Sequence, residues 1–270
     1  MAGDLLARIT ASRRAAVADA QRRLPRSRLE RLAAARPAAR PFAEALSRPG
    51  PSGVNCVAEI KRASPSRGPL RPDLDPARLA RAYAAGGAAA LSVLTEERFF
   101  QGSTRDLIAA REATDLPVLR KDFLFCEWQL FESAALGADA VLLIARIVEP
   151  PVLADLVRLA GELGLAALVE VFSPADLEAA TAAGARLIGI NNRNLATFAV
   201  DPERTLELLP VLRPGQVPLA ASGIRTRADI ERYLARGVFN FLVGESLVTA
   251  ADPVRRLRAL QGGEGEDGPP

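Results

Sequence analysis

The sequence predicts an α/β protein folded as a (β/α)8 TIM barrel with an N-terminal helical extension. From Val54 onward, short and almost continuously apolar segments alternate with longer amphipathic segments rich in Ala, Leu and Arg. This alternation indicates a parallel sheet covered by helices, and eight repeats match a closed barrel better than an open sheet. A Gly-x-Gly-x-x-Gly sequence follows none of the predicted strands, which argues against a dinucleotide-binding fold.

Hydrophobic pattern and capping residues place the individual elements. Asp75 and Ser173 are N-cap residues followed by proline, which is favourable at the first helical position. The strand candidates are residues 54–60, 88–94, 117–123, 138–144, 165–171, 185–190, 217–222 and 238–243. The helix candidates lie near residues 75–85, 103–113, 127–136, 150–163, 174–183, 203–210, 226–235 and 253–260.

The first fifty residues predict helices outside this repeat. Leu5, Leu6 and Ile9 recur on one face, and the opposite face is basic. The sequence RPGPSG then marks a turn or linker. We therefore expect a helical extension over residues 1–50, a barrel domain over residues 51–260, and a disordered tail over residues 261–270.

Composition and charge narrow the function. The formal net charge is only +3, and no basic run is interleaved with aromatic residues, so we expect no nucleic-acid partner. The sequence has no signal-peptide core and no 18-residue apolar run, so we expect no membrane partner and a cytoplasmic location. Cys56 and Cys126 are too few for a disulfide framework and lack metal-ligand spacing. Because the chain has no histidine, acid–base chemistry has to use Glu, Asp, Lys, Tyr or Cys.

Polar residues stand at the carboxyl ends of five predicted strands, where a barrel of this kind holds its active site. One charged residue at a strand end is usually solvated, but repetition on five converging strands predicts a site. Neighbouring carboxylates and ammonium groups shift each other's pKa values, so a lysine can act as an acid and a glutamate as a base. In strand order the residues are Glu59 and Lys61; Arg120, Lys121 and Asp122; Glu170; Asn191 and Arg193; and Ser222.

Glycine-containing pairs follow the last two predicted strands. Ser222-Gly223 and Gly244-Glu245 stand where barrels commonly bind phosphate. Glycine lets backbone N–H groups approach phosphate oxygens, and a helix that starts there adds a favourable dipole. The two pairs therefore predict a phosphate site.

The chain resembles the indole-3-glycerol-phosphate synthase family of tryptophan biosynthesis from about residue 5 to residue 260. The motifs that carry the resemblance are VAEIKRASPSRG (57–68), SVLTEERFFQGS (92–103), LRKDF (119–123), GADAVLLIA (137–145), LVEV (168–171), IGINNRNL (188–195), ASGI (221–224) and VGESL (243–247). It implies a carboxy-lyase that closes the ring of 1-(o-carboxyphenylamino)-1-deoxyribulose 5-phosphate, releases carbon dioxide and water, and forms indole-3-glycerol phosphate. It also implies a phosphorylated small-molecule substrate, no metal or organic cofactor, and an N-terminal extension packed on the barrel mouth. We expect a monomer or weak homodimer.

The resemblance implies roles for individual residues. Lys121 would be the general acid at the carbonyl under attack, and Glu170 would transfer protons during dehydration. Lys61 would bind the carboxylate or phosphate side of the substrate, with Glu59 orienting both lysines and contributing to acid–base work. Asn191 would hydrogen-bond the sugar portion. The phosphate site would comprise Arg193, Ser222, Gly223, Gly244 and Glu245, the last through its backbone N–H. The anthranilate ring would be sandwiched by Phe100, Phe123, Leu142 and Leu195.

Four positions depart from the family pattern. Ala221 stands where the family usually has glutamate in Ala-Glu-Ser-Gly, so a site carboxylate is missing. Cys126, Trp128 and Ala134 replace the usual acidic residue, tyrosine and arginine. Because each lysine pKa depends on neighbouring charges, we expect a slower or pH-shifted enzyme, or a paralogue dedicated to one pathway.

Two other functions fit part of the pattern. A phosphoribosylanthranilate isomerase-like barrel keeps the phosphate motifs but expects a Cys and an Asp as its acid–base pair. A catalytically weakened paralogue would instead act as a phosphate-binding or partner-binding scaffold. Comparing turnover by the wild type with turnover by Lys121→Ala separates an enzyme from a scaffold.

Overall fold

Eight parallel strands form a closed barrel in a computed structural model, which describes residues 5–194 and 199–263. Each strand pairs with the next along the chain, and the last returns to the first with Asn55 opposite Asn240. The predicted (β/α)8 barrel is therefore confirmed, with all eight strands. The strands are β1 (Asn55–Ile60), β2 (Ala90–Leu94), β3 (Val118–Leu124), β4 (Ala140–Ile144), β5 (Ala166–Val171), β6 (Leu187–Asn191), β7 (Val217–Ala221) and β8 (Asn240–Val243).

Helices precede the barrel and connect its strands. The N-terminal segment forms α1 (Leu5–Arg23), α2 (Arg26–Ala34) and α3 (Phe42–Ala45). The remaining helices are α4 (Pro76–Ala85), α5 (Thr104–Ala113), α6 (Glu127–Ala135), α7 (Pro150–Glu162), α8 (Pro174–Ala182), α9 (Glu203–Leu208), α10 (Arg227–Leu234), α11 (Glu245–Val248) and α12 (Pro253–Leu260). All eight helices predicted between and after the strands are present. The predicted tail lies outside the described residues from residue 264 onward.

Some short elements of the described chain are not among the strands and helices predicted above. A two-stranded antiparallel hairpin pairs Ala63–Ser64 with Gly68–Pro69 directly after β1. The four-residue helix α11 follows β8. Elements of two to four residues are too short for a repeated hydrophobic period, so the sequence pattern does not reveal them.

Side-chain alternation separates an inner core from an outer core and positions the polar strand ends. The outer core fills the space between strands and helices, and a smaller cluster fills the barrel interior. Because successive strand residues face opposite sides, a residue two positions beyond an interior residue also faces the interior. Such pairs are Val57 and Glu59, Leu119 and Lys121, Leu168 and Glu170, and Leu219 and Ala221.

The N-terminal segment reaches both ends of the barrel. Leu6 and Ile9 of α1 belong to the interior cluster and line the cavity at the carboxyl ends of the strands. Phe42 and Leu46 belong to the same cluster, and Asn240, the first residue of β8, donates a hydrogen bond to the Leu46 carbonyl. In the described part of the chain, no helix is both long enough and apolar enough to span a membrane.

Candidate active site

A cavity opens at the carboxyl ends of the strands, and its floor carries one carboxylate between two lysines. The Lys61 ammonium lies 2.5 Å from Glu59 Oε1, and the Lys121 ammonium lies 3.2 Å from Glu59 Oε2. Both lysines are largely buried, and Glu59 is only 2% exposed. Each carboxylate oxygen of Glu59 therefore faces one cation, which fixes the spacing of the two ammonium groups.

Opposite charges decide the ionisation of this group. Burial alone would raise the pKa of the Glu59 carboxyl, but Lys121 and Lys61 outweigh burial and lower that pKa to about 2. Burial likewise favours neutral Lys121, yet Glu59 and Glu170 raise the Lys121 pKa above its ordinary value of 10.5. Glu59 is consequently ionised and Lys121 is protonated near neutral pH. Lys121 is therefore a proton donor, and the ionised Glu59 carboxylate holds it in place.

Glu170 is the second carboxylate of the cavity, and its ionisation differs from that of Glu59. It is 5% exposed, and desolvation raises its pKa above the ordinary value of 4.5. Lys121 and a hydrogen bond from Asn191 oppose that increase, while the negative charge of Glu59 adds to it. Two glutamates in one cavity thus have pKa values shifted in opposite directions, an arrangement typical of acid–base catalysis.

The predicted phosphate residues lie together along the same cavity, on the side of β7 and β8. Ser222, Gly223, Gly244, Glu245 and Arg193 all line it. Ser222 has a left-handed backbone with φ of 68°, which is uncommon for a residue other than glycine. Its hydroxyl donates to Asn191 Oδ1 over 2.8 Å, and the backbone N–H of Arg193 donates to the same oxygen over 3.0 Å. Asn191 therefore joins the end of β6 to the Ser222 turn.

Gly244 is required by the close approach of the Glu59–Lys61 pair. A Cβ atom at this position would lie 2.3 Å from Glu59 Oε1 and 3.1 Å from Lys61 Nζ. Any side chain here would displace both charged groups. The glycine thus leaves room for the Glu59–Lys61 pair, and its part in a phosphate site stays a prediction.

The carboxylate of Glu245 is engaged in an ion pair. Its Oε1 lies 3.2 Å from the Arg67 guanidinium in the hairpin segment that follows β1. That geometry leaves the backbone of the Gly244-Glu245 step as the contact that an anion would use. The role that the resemblance implies for the Glu245 backbone N–H stays a prediction.

Aromatic and aliphatic side chains form an apolar part of the cavity. The Phe100 and Phe123 rings are tilted by 36° with their centroids 6.1 Å apart, and Leu142 lines the cavity nearby. Leu195, the fourth residue expected in this pocket, lies outside the described residues. Three of the four predicted ring-binding residues are therefore brought together.

Several cavity residues were not assigned to the site from the sequence. Ser64 and Ser66 follow the Glu59–Lys61 motif directly, and that position was a usable signal. Leu5, Leu6 and Ile9 of α1 also line the cavity. Their helical periodicity predicted a buried face, but periodicity does not say which surface that face covers.

Arg120 does not belong to the cavity, although it was grouped with the polar strand ends. It is fully buried on the outer side of β3, where it donates to Ser133 Oγ over 3.0 Å and pairs with Glu132 over 2.7 Å. Side-chain alternation explains the difference, since Arg120 and Lys121 are adjacent and face opposite sides. Arg120 therefore supports the packing of α6.

Neither cysteine lines the cavity. Cys56 is completely buried in the outer core, and burial raises the pKa of its thiol to about 12. The cysteine of the Cys–Asp acid–base pair that the isomerase-like alternative needs is therefore absent from the described lining of this cavity. Among the described residues there is also no group of three potential metal-ligating side chains.

A family model and relatives of similar length match the sequence of this chain. The indole-3-glycerol phosphate synthase family model matches residues 6–260. The chain belongs to the indole-3-glycerol phosphate synthase family. The indole-3-glycerol phosphate synthase of Desulfosudis oleivorans is 52% identical over 258 residues, which cover 95% of this chain and 98% of that protein. The enzyme of the same name from Syntrophobacter fumaroxidans is 48% identical over 259 residues, covering 96% and 98% of the two chains.

Solved structures of other enzymes share the barrel. The 3-hexulose-6-phosphate synthase of Salmonella typhimurium aligns with a TM-score of 0.63 and 16% identity, over 77% of this chain and 97% of that chain. Thiamine phosphate pyrophosphorylase from Pyrococcus furiosus aligns with a TM-score of 0.59 and 18% identity, over 78% and 95% of the two chains. At these identities the similarity concerns the fold alone.

Proposed function

We propose that this chain is an indole-3-glycerol-phosphate synthase that acts on 1-(o-carboxyphenylamino)-1-deoxyribulose 5-phosphate. The observation that carries the proposal is the Lys121–Glu59–Lys61 group, held beside Glu170 on the cavity floor. Family membership over residues 6–260 supports the same reaction. The products are indole-3-glycerol phosphate, carbon dioxide and water.

The first step is ring closure, in which the anthranilate ring carbon that bears the carboxylate attacks the substrate carbonyl carbon. Lys121 donates a proton to the carbonyl oxygen, which becomes a hydroxyl group. Its raised pKa keeps it protonated before the step, and Glu59 holds the ammonium in position. Lys61, on the other oxygen of Glu59, binds the substrate carboxylate or the phosphate side.

Carbon dioxide then leaves, and the electrons of the broken carbon–carbon bond neutralise the cation formed in the first step. Loss of the hydroxyl group as water and of a proton from carbon completes the indole ring. Glu170 transfers protons in this dehydration. Its pKa is raised above that of an ordinary carboxyl and so lies closer to neutral pH, which suits a group that both accepts and donates protons. The apolar pocket of Phe100, Phe123 and Leu142 excludes water from the cationic intermediate.

The phosphate of the substrate binds at Ser222, Gly223, Gly244, Glu245 and Arg193, on the β7 and β8 side. Asn191 hydrogen-bonds the sugar portion between the two ends of the substrate. The N-terminal extension covers the cavity, since Leu5, Leu6 and Ile9 line it. We include a cytoplasmic location and a monomer or weak homodimer in the proposal.

Indole fluorescence provides the test. Purified protein is incubated with the substrate in the presence of EDTA, and product formation is followed by fluorescence. We expect product from the wild type and a loss of at least about a hundredfold in kcat for Glu170→Gln, in line with removal of a general acid–base group. Absence of product from the folded wild type, with the substrate still bound, would favour the scaffold alternative.

A further inference from the structure

The segment between β2 and α5 carries Phe100 into the cavity, and a buried carboxylate organises it. Glu96 is 2% exposed although its neighbours Glu97 and Arg98 are exposed. Burial of a carboxylate is costly unless hydrogen bonds satisfy its oxygens. The partners of Glu96 therefore indicate what the residue does.

Both carboxylate oxygens of Glu96 accept hydrogen bonds from the backbone of the same turn. Oε1 accepts from the Arg98 N–H over 3.1 Å, and Oε2 accepts from the Phe99 N–H over 2.7 Å and the Phe100 N–H over 3.0 Å. Three successive N–H groups thus converge on one side chain. Hydrogen bonds from N–H groups to an ionised carboxylate are stronger than those between neutral groups.

The far end of the turn is equally constrained. Gly102 donates its N–H to the Glu96 carbonyl over 2.8 Å, and a Cβ atom on Gly102 would lie 2.2 Å from the Leu94 carbonyl oxygen. Gln101 has a left-handed backbone with φ of 53°. A turn with an unfavourable backbone conformation persists only when surrounding interactions hold it. The hydrogen bonds to the Glu96 carboxylate are such interactions.

Phe100 is the residue through which this turn reaches the site. Its ring lies 6.1 Å from the Phe123 ring in the apolar part of the cavity. Its carbonyl accepts a hydrogen bond from the Ala63 N–H over 3.2 Å, in the hairpin that follows Lys61. The Phe100 backbone is therefore held by Glu96 on one side and by the β1 hairpin on the other.

We propose that Glu96 is a positioning residue that sets affinity for the aromatic end of the substrate by holding Phe100 in the ring pocket. This inference rests on the proposed function, because the substrate there supplies the aromatic ring. The phosphate end lies on β7 and β8, on other strands, so its affinity does not depend on Glu96. The Glu96 carboxylate is engaged by the Arg98, Phe99 and Phe100 N–H groups, so we assign it no part in proton transfer.

The test compares Glu96→Gln with Glu97→Gln, a matched control at the exposed neighbouring position. The Glu96→Gln change keeps the size of the side chain but turns one acceptor oxygen into an NH2 group that faces N–H donors. If the ordered turn falls to about a tenth of the population, the KM rises roughly tenfold, because apparent affinity scales with the competent fraction. We expect kcat to change less than about threefold and Glu97→Gln to match the wild type.

Two further readouts separate positioning from general loosening. Inorganic phosphate, used as a competitive inhibitor, reports the phosphate end, and its inhibition constant is expected to stay unchanged in Glu96→Gln. The Glu96→Gln/Phe100→Ala double variant is expected to have the KM of Phe100→Ala alone, because both changes remove the same interaction. If Glu96→Gln does not fold, Glu96→Asp keeps both acceptor oxygens on a shorter arm and is expected to raise the KM in the same sense.

The substrate dissociation constant in the Lys121→Ala background makes the inference independent of turnover. A wild type that binds the substrate without forming product would overturn the proposed function. In that case a larger substrate dissociation constant in Glu96→Gln would still support the positioning role. The inference is overturned by an unchanged KM in Glu96→Gln, by an equal loss of phosphate affinity, or by additive effects of the two substitutions. A wild type that does not bind the substrate overturns both proposals.

Discussion

Arg13 of α1 donates a hydrogen bond to Asp122 across 2.6 Å, and Asp122 directly follows Lys121 in β3. Asp122 is 1% exposed and also accepts hydrogen bonds from Thr95 and Arg120. Its other oxygen accepts from the Phe123 N–H over 2.8 Å. The N-terminal extension is thereby connected to the strand that carries both the proposed general acid and a ring-pocket residue.

We predict that Arg13→Ala lowers both stability and activity. Removing one partner leaves the buried Asp122 carboxylate with fewer donors, at an expected cost of about 1–3 kcal/mol in the free energy of unfolding. We also expect kcat/KM to fall roughly tenfold, a loss of about 1.4 kcal/mol in transition-state stabilisation, since α1 lines the cavity. Denaturant unfolding and steady-state kinetics measure the two effects.

Arg22→Ala is the matched control in the same helix. Arg22 pairs with Asp19, and the two side chains are 72% and 57% exposed, so screening by solvent makes this pair weak. We expect a change within about 0.5 kcal/mol and unchanged kcat/KM. Equal behaviour of the two variants would contradict a specific role for the Arg13–Asp122 pair.

The acid limb of the pH profile reports the ionisation of Glu170. Burial raises its pKa above 4.5, so the proton-accepting form is lost as the pH falls through that raised value. We predict that kcat/KM falls to half of its plateau at a pH above 4.5, whereas an ordinary glutamate would bring it to half at about that pH. Lys121, with its pKa raised above its ordinary value, loses its proton only on the alkaline side, so it does not contribute to the acid limb. A kcat/KM that stays level down to pH 4.5 would contradict the role of Glu170 as proton acceptor.

Restoring the missing carboxylate at Ala221 tests whether its absence matters. Ala221 is 5% exposed, lines the cavity, and lies in register between Asn191 and Leu242. We predict that Ala221→Glu increases kcat and moves the acid limb to higher pH, because a second negative charge raises the pKa of Glu170 further. Ala221→Gln adds the same volume without charge and is expected to leave the acid limb in place. If the glutamate variant keeps the wild-type rate and pH profile, the replacement of the family's usual glutamate has no catalytic consequence.

Glu59 also makes stability depend on pH in the acid range. Its pKa is about 2 in the folded protein and 4.5 ordinarily, so its contribution is complete above 4.5 and is lost as the pH falls towards 2. That contribution is on the order of 3 kcal/mol. Denaturant unfolding at several pH values should therefore show a smaller acid-induced loss in Glu59→Gln than in the wild type or in Glu97→Gln. An identical loss in all three proteins would contradict the lowered pKa.

Sequence patterns predicted the barrel, and they named most of the polar residues that line the candidate site. Apolar runs predicted every barrel strand, and capping residues marked the starts of helices. Their position at strand ends placed Glu59, Lys121 and Glu170 in the candidate site. The contribution of α1 to the cavity could not be derived in this way, because it depends on long-range packing of Leu6 and Ile9. Which side of β3 Arg120 faces depends on the register of that strand. A shift of one residue would exchange the inner and outer faces.

The Glu96 turn shows a different limit of sequence reasoning. EERFF contains two adjacent glutamates, and nothing in their spacing says which of them is buried. Only the fold brings the Arg98, Phe99 and Phe100 N–H groups to one carboxylate. Hydrogen bonds to the backbone depend on turn geometry, which the residue types alone do not specify.

A single-turnover measurement with Lys121→Ala tests whether Lys121 is the general acid of ring closure. The variant and the wild type, each in excess over 1-(o-carboxyphenylamino)-1-deoxyribulose 5-phosphate, are mixed with it, and indole fluorescence is followed at saturating protein concentration. We predict that the wild type forms indole-3-glycerol phosphate and that Lys121→Ala does so at least about a hundredfold more slowly, because its general acid is missing. A rate in Lys121→Ala within about threefold of the wild type, or no product from the wild type, would contradict it.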